Sequence, residues 1–358
     1  MYVLSCPYRN LRRNGLENLC LCINFEDIQL LDDTTTELLL TREHDIHHQK
    51  LHLKTPLDIE SEYAVIDDLW FHIQEDPCQV RFPIYNGGSS CIPTKDLSMI
   101  KKIKEFSMGV YLAHVESDKF VYKEIDRPLY IPRDSEVLEL ELRNLELMYG
   151  NEGVVRLAAA VVSDNPYRTT AAIENNPPTN LQGILLEYHP NGMLQDALES
   201  PKPNYPWHRW ALQITRALDA LHQNSITHMD LKPSNIVLSK NEDAILIDLC
   251  GIGGTTRKWL SPEMRSLSEP ISQDFEERKQ NDIWTLGLIL SAMAHATCNE
   301  MEHKVLNKVS LLAATEMVPR ISLENAISLL SSSLSALDSS ELAPDNAVKI
   351  ESTIGAAT

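Results

Sequence analysis

The sequence lacks any excess of positive charge. Among its 358 residues, 32 Lys and Arg stand against 51 Asp and Glu, which gives a formal net charge of −19 at pH 7. Nucleic acids and anionic membranes are bound through basic patches that displace counterions. The composition therefore argues against binding to nucleic acid or membrane, and it favours basic protein partners or substrates.

Long apolar runs and paired cysteines are also missing. No run approaches the roughly 20 residues that span a bilayer, and the N-terminus has no basic stretch followed by an apolar core. The seven cysteines are scattered and lack the CxxC spacing of a zinc site. These features predict an intracellular, cytoplasmic protein in a reducing compartment.

The first part of the chain carries no motif that indicates a function. A Gly/Ser/Pro-rich stretch at 85–94 has the composition of a linker. We therefore expect an N-terminal region of unknown fold at 1–95, a main domain at 96–340 and a tail at 341–358.

Hydrophobic periodicity predicts the architecture of the main domain. Alternating apolar and polar residues predict three short strands within 99–125. After a polar break, Asp134 or Ser135 is predicted to cap a helix that runs to about Tyr149. Two further strands follow, and from Trp207 onward the pattern becomes helical. This order predicts an α+β fold with a small strand-rich lobe, a helical lobe and a cleft between them.

A polar turn, "HMDLKPSN", lies between two apolar segments at 228–235. Such a turn by itself is typical of a surface loop. Phosphoryl transfer, however, needs this kind of charge placement: a lysine at the phosphates, an acid at the attacking hydroxyl and oxygen ligands for magnesium. The function of the turn therefore depends on what the rest of the chain supplies.

Several stretches, in the same order along the chain, resemble motifs of the eukaryotic protein kinase family. "HMDLKPSN" is similar to the catalytic loop H-R-D-L-K-P-x-N, and "IDLCG" is similar to the D-F-G magnesium motif. "WLSPE", "DIWTLG", "YKEI" and "LLEYHPNGML" resemble the A-P-E, central-helix, lysine-strand and hinge segments. The resemblance covers about residues 96–335 and implies a two-lobed kinase fold.

The resemblance implies a nucleotide site for ATP in the first half of the domain. Lys123 would hold the α- and β-phosphates and pair with Glu141, although Glu139 lies nearby. Leu186 occupies the gatekeeper position, and a buried core leucine is the plain alternative. The backbone from Glu187 to His189 would face adenine.

The transfer step is assigned to the second half of the domain. The resemblance implies that Asp230 accepts the proton of the substrate hydroxyl and that Lys232 neutralises the γ-phosphate. Asn235 and Asp248 would bind Mg²⁺. The combination of Lys232 with Thr256 implies Ser/Thr acceptors.

Two scaffold roles also follow from the resemblance. Asp282 is expected to order the catalytic-loop backbone by accepting its N–H groups. Arg320 is expected to pair with Glu263, because a buried carboxylate needs a partner.

Three departures from the family pattern bear on activity. Gly109, the expected phosphate-loop residue of the ATP site, stands alone where the family has three glycines, which let backbone N–H groups approach phosphate without side-chain clashes. Cys250 replaces the glycine of the magnesium motif and is expected to be a small buried residue. Met229 replaces an arginine that binds phosphate on a long activation loop. Here only 16 residues run from Asp248 to Glu263, so that arginine would have nothing to order.

These observations predict a Ser/Thr protein kinase that uses Mg-ATP without an activation-loop switch. The alternative is a pseudokinase that serves as a binding module or scaffold, which the incomplete phosphate loop favours. A small-molecule phosphotransferase shares the H-x-D-x-x-x-x-N pattern, but the "SPE" and "DIWTLG" stretches argue against it.

Overall fold

The architecture was analysed in a computed structural model. It describes residues 36–41, 49–50, 70–75, 82–87, 92–125, 132–163 and 179–341. The chain divides into two compact units. The first comprises residues 1–81 and 164–178, and the second comprises 82–163 and 179–358. The domain boundaries expected at residues 95 and 340 stay predictions.

The described part of the first unit is a small antiparallel sheet. Its strands are β1 (Thr36–Thr41), β2 (Gln49–Lys50) and β3 (Trp70–Glu75), in the order β1-β3-β2. The central strand β3 pairs with both neighbours, and its Phe71 is buried.

The second unit contains a six-stranded sheet in the order β4-β8-β9-β7-β6-β5. Its strands are β4 (Thr94–Asp96), β5 (Lys101–Ser107), β6 (Val110–Val115), β7 (Asp118–Glu124), β8 (Leu157–Ser163) and β9 (Asn180–Glu187). Neighbours pair antiparallel except β4 and β8, which are parallel. The strands predicted between residues 99 and 125 are confirmed.

One face of this sheet forms an apolar core. The residues of this cluster are buried because alternate side chains of a strand point to the same face. They are Ala113, Val115, Tyr122, Ala159, Val161 and Leu185.

Helix α1 (Pro132–Leu147) contacts β8 and β9. It begins before the predicted caps Asp134 and Ser135, so the capping prediction is wrong. Proline suits the first turn of a helix because its fixed φ and missing N–H cost nothing there. The helix also ends two residues before Tyr149, the predicted end. Its buried stripe includes Leu138 and Leu145 and carries the fully buried Glu141.

The remaining elements of the unit, within the described residues, are helices and one hairpin. The helices are α2 (Leu194–Glu199), α3 (Trp207–Gln223), α4 (Pro262–Arg265), α5 (Phe275–Ala296), α6 (Glu300–Ala313) and α7 (Leu323–Glu341). The hairpin strands are β10 (Ile236–Leu238) and β11 (Ala244–Leu246). This order of a strand-rich and then a helical lobe confirms the predicted α+β class.

Helices α3 and α5 form the centre of the helical lobe. The apolar stripe predicted on α3 is fully buried, at Ala211, Ile214, Leu218 and Leu221. Helix α5 begins at a cap in which Asp274 accepts a hydrogen bond from Glu277 N (2.9 Å). None of the helices within the described ranges is long and apolar enough to cross a bilayer.

Candidate active site

The predicted catalytic loop connects α3 to β10, and one buried carboxylate fixes its backbone. Asp282 of α5 accepts hydrogen bonds from His228 N (2.8 Å) and Met229 N (2.9 Å). The His222 ring contacts the same carboxylate at 3.0 Å. Met229 has φ of +61°, a left-handed conformation that disfavours side chains other than glycine. The bonds to Asp282 hold it there, so the expected role of this acid is confirmed.

Within the loop, one lysine ties the predicted base to a threonine further along the chain. Lys232 Nζ lies 2.6 Å from Asp230 Oδ2 and 2.9 Å from Thr256 Oγ1. Asn235 Nδ2 donates to the Asp230 backbone oxygen at 2.8 Å and contacts Oδ2 at 3.3 Å. The other carboxylate oxygen of Asp230, Oδ1, is buried and has no hydrogen-bond partner among the described residues. An acceptor is therefore held in position with one oxygen unused.

A second cluster joins the strand-rich lobe to the magnesium motif. Lys123 of β7 forms ion pairs with Glu141 of α1 and with Asp248 Oδ1, the latter at 2.7 Å. Glu141 is fully buried, whereas about a third of the Asp248 side chain is exposed. Between the two candidates on α1, the structure places Glu141 rather than Glu139 against the lysine.

Opposite charges set the protonation of this cluster. Burial alone would lower the pKa of the Lys123 amine, but the charges of Asp248 and Glu141 outweigh it and raise that pKa. The Lys123 charge lowers the pKa of Asp248 to about 2. Burial raises the pKa of Glu141, and the lysine charge opposes this rise. Lys123 and Asp248 are therefore both ionised at neutral pH.

The two clusters meet at the β10–β11 hairpin. Asn235 immediately precedes β10, and Asp248 lies two residues after β11. Ile247 N donates to Asn235 O at 3.1 Å. Because antiparallel pairing aligns these ends, Asn235 and Asp248 lie at the same end of the hairpin, and Lys123 contacts Asp248. The predicted amine and the two predicted metal-binding side chains share one region.

The predicted adenine segment lies at the end of β9. Leu186 is buried on that strand, opposite Val121 of β7. Glu187 N donates to Arg156 O at 3.0 Å, and its carboxylate pairs with the Arg156 side chain. His189 follows two residues later, and burial lowers the pKa of its imidazole. The Glu187 N–H is thus already bonded, and the assignment of this segment to adenine stays a prediction.

Comparison with known sequences decides the family. A sequence model described as the protein kinase domain matches residues 106–343, about two thirds of the chain. The chain belongs to the protein kinase family.

Curated relatives of this chain are named as kinases. A probable serine/threonine-protein kinase of Dictyostelium discoideum is 30% identical over 162 residues, 42% of this chain and 17% of that protein. Serine/threonine-protein kinase Nek3 of Oryza sativa subsp. japonica is 30% identical over 122 residues, 31% of this chain and 20% of its own. Serine/threonine-protein kinase mig-15 of Caenorhabditis elegans is 23% identical over 154 residues, which are 38% of this chain and 13% of that protein. The chain therefore spans a fifth or less of these relatives' length.

The phosphate-loop position of this family member is a tight hairpin. Only Met108 and Gly109 separate β5 from β6. Gly109 has φ of +70°, which glycine adopts without strain, and its carbonyl accepts from Glu124 N at 2.8 Å. Gly109 thus serves the turn, and no other glycine lies in the β5–β6 hairpin.

The cysteine of the magnesium motif is a packed side chain. Cys250 is buried, and its sulfur accepts a hydrogen bond from Gly253 N at 3.3 Å. Burial raises the pKa of this thiol to about 12, so it is protonated at neutral pH. The expectation of a small buried residue is confirmed.

An ion pair between the buried Arg320 and the exposed Glu263 anchors the end of the activation segment, so the carboxylate is not buried as expected. Arg320 binds Glu263 through two contacts, at 2.7 and 3.1 Å. The guanidinium also stacks on the Trp284 ring, 5.1 Å from its centroid. The predicted Arg320–Glu263 pair is confirmed.

One supporting residue escaped the sequence analysis. Asn144 is buried on α1 and donates from Nδ2 to Leu249 O at 2.6 Å. It thereby ties the magnesium motif to the helix that carries Glu141. The spacing of three residues places Glu141 and Asn144 on the same helical face, and this pattern in the sequence could have indicated the role of Asn144.

Met229 provides a test of the shortened activation segment. Its side chain is 2% exposed and packs beside Asn281. Met229→Arg should lower the free energy of unfolding by about 3 kcal/mol, because it buries a charge where both Asp282 oxygens are already bonded. Urea denaturation measures the change. Met229→Leu preserves volume and should cost less than about 1.5 kcal/mol. An arginine variant as stable as the wild type would contradict this account.

Proposed function

We propose that this chain is a Ser/Thr protein kinase that transfers the γ-phosphoryl group of Mg-ATP without activation-loop control. The observation that carries the proposal is the meeting of two charged clusters at one hairpin end. Lys123 contacts Asp248 there, and Asp230 is bonded to Lys232 and Asn235 beside it. The family itself acts on proteins with ATP and a divalent metal.

The available oxygens support a magnesium site. Asp248 is ionised and uses one oxygen for Lys123, which leaves the other for a metal. The amide oxygen of Asn235 has no hydrogen-bond partner among the described residues, since the amide nitrogen makes the bonds to Asp230. Carboxylate and amide oxygens are ligands that Mg²⁺ accepts. Mg-ATP, when bound, supplies the phosphoryl group, and Lys123 is the amine that we propose to hold its phosphates.

Asp230 is the proposed base. Its Oδ1 is free to accept the proton of a serine or threonine hydroxyl. Lys232 balances the negative charge of Asp230 and is the proposed ligand of the γ-phosphate. The bond from Lys232 to Thr256 supports a Ser/Thr rather than a Tyr acceptor.

The absence of an activation-loop switch is also part of the proposal. The segment after the magnesium motif contains a short 3₁₀ turn at Arg257–Trp259 and then enters α4. Met229, where the family has its phosphate-binding arginine, is buried beside α5. A segment this short supports an active site that needs no phosphorylation, because there is little chain for a phosphate to order.

Two further expectations rest on composition alone. The net charge predicts a basic protein substrate, and the scarcity of apolar runs and paired cysteines predicts a cytoplasmic location. Both belong to the proposal and stay predictions.

The two-residue hairpin at Met108 and Gly109 favours a second candidate, a pseudokinase that acts as a binding module. Such a hairpin offers few backbone N–H groups to phosphate. The two candidates differ first in whether Mg-ATP binds.

Nucleotide binding should appear as added thermal stability. Mg-ATP at about 100 times its Kd should stabilise the wild type by roughly 2.7 kcal/mol, because ligand binds only the folded state. Lys123→Met and Asp248→Asn should lose this stabilisation, since they remove the proposed phosphate and metal contacts. Differential scanning fluorimetry with and without Mg-ATP measures the shift. ATP with EDTA is the control, and an unchanged wild-type midpoint would favour the pseudokinase.

A further inference from the structure

Two cationic residues follow the threonine that is bonded to the same lysine as the proposed base. Lys232 Nζ hydrogen-bonds both Asp230 Oδ2 and Thr256 Oγ1, so no more than two hydrogen-bond lengths separate those oxygens. Arg257 and Lys258 follow Thr256 directly in the 3₁₀ turn. We therefore expect a peptide that brings its hydroxyl to Asp230 to meet this segment of the chain.

Both cations are exposed and unpaired. Within the described ranges neither Arg257 nor Lys258 has a carboxylate within ion-pair distance, and the Lys258 amine lies 5.5 Å from the centroid of the Trp259 ring. The neighbouring charges are already used. Arg265 donates to the backbone oxygens of Leu260 and Lys258, and Glu263 is held by Arg320.

We propose that Arg257 and Lys258 bind an anionic group beside the acceptor hydroxyl, either a carboxylate side chain or a phosphate of the substrate. The inference rests on the proposed function, because it takes Asp230 as the group that meets the acceptor. Ammonium and guanidinium groups form charge-assisted hydrogen bonds with both kinds of anion. The substrate class is thus a Ser/Thr site with an acidic or phosphorylated neighbour.

This local preference differs from the expectation set by the net charge. The charge of −19 belongs to the whole surface and acts on encounter through a field that salt screens. The peptide residues that flank the acceptor hydroxyl, in contrast, contact the side chains nearest Asp230. Contact charges therefore decide which peptide is held, while the overall charge affects how fast partners arrive.

The test compares peptides that differ only in the residues flanking one serine. Fluorescent peptides carry Glu, phosphoserine, Gln or Lys there, and anisotropy with full-length protein at about 0.15 M salt gives their Kd. The Glu or phosphoserine peptide should bind wild type roughly fivefold or more tighter than the Gln peptide. Arg257→Glu/Lys258→Glu should abolish that preference and favour the Lys peptide.

A control variant with the same net charge separates the effect of direct contacts from the effect of the overall charge of the protein. Lys119→Glu/Lys240→Glu changes the net charge equally at two exposed lysines outside this segment and should keep the wild-type preference. If only the phosphoserine peptide binds more tightly than the Gln peptide, the inference holds with phosphate as the anion. If the Glu peptide also binds more tightly than the Gln peptide, the site accepts carboxylates as well. Equal Kd values for Gln and both anionic peptides would overturn it, as would a preference that the control variant loses equally.

The same peptides separate this inference from the proposed function. Anisotropy needs no turnover, so the charge preference is decided whether or not phosphate is transferred. If no peptide is phosphorylated, the proposed function fails while the binding comparison still stands. If the Gln and Glu peptides bind and react equally, the kinase function stands and the anion preference fails.

Discussion

Asp230→Asn is expected to lower the rate of phosphoryl transfer by roughly 10²- to 10⁴-fold, the usual contribution of a positioned general base. The amide is nearly the same size as the carboxylate but cannot take a proton from a hydroxyl. Lys232 and Asn235 hold this side chain by one oxygen and leave the other unpartnered. Radiolabel transfer to a serine peptide under single-turnover conditions measures the effect.

The reading of that result depends on two controls. Ser234→Ala changes a half-buried residue of the same loop and should leave the rate within about twofold. The thermal shift with Mg-ATP should persist in Asp230→Asn, because this residue is not a proposed ligand of the nucleotide. Equal rates for wild type and Asp230→Asn would remove the catalytic role of Asp230. A wild type that binds Mg-ATP without any transfer would instead support the pseudokinase.

The mutual placement of the loop residues was predictable because they are close in sequence. Asp230, Lys232 and Asn235 span six positions, so their mutual placement depends on one turn. The lobe order was predictable for a similar reason, since period-2 and period-3.6 patterns report which faces are buried. The fully buried stripe on α3 is the clearest case.

Features that depend on contacts between distant segments were harder to predict. Strand β4 pairs with β8 through Thr94 and Ala160, and no local pattern reports a parallel partner so far along the chain. The start of α1 at Pro132 was missed because Asp134 and Ser135 carry the stronger local capping signal.

The choice between Glu141 and Glu139 needed the structure for another reason. Helical periodicity places Glu141 within the apolar stripe, but it does not show which distant cation meets it. Only the packing of α1 against the sheet brings Glu141 to Lys123. A buried carboxylate of this kind predicts that a partner exists and leaves its identity open.

Asp282→Ala should be the most destabilising single change at this site, at about 3–5 kcal/mol of unfolding free energy. The variant leaves the backbone N–H groups of His228 and Met229 without acceptors, and both residues are almost fully buried. Each buried unsatisfied donor costs about 1–3 kcal/mol. Met229 also loses the bond that holds its left-handed backbone. Urea denaturation monitored by tryptophan fluorescence measures the loss.

Asp282→Asn and Glu276→Ala separate the possible causes of that loss. The asparagine keeps one acceptor oxygen but directs an NH₂ group toward the second N–H, so its stability should fall between wild type and alanine. Glu276 is exposed and pairs with Lys279 at 3.2 Å, and its replacement should change stability by less than about 0.5 kcal/mol. If Asp282→Ala were as stable as Glu276→Ala, the carboxylate would not be what orders the catalytic loop. Activity lost in Asp282→Asn with most stability retained would show that the loop backbone, and not the fold as a whole, positions Asp230.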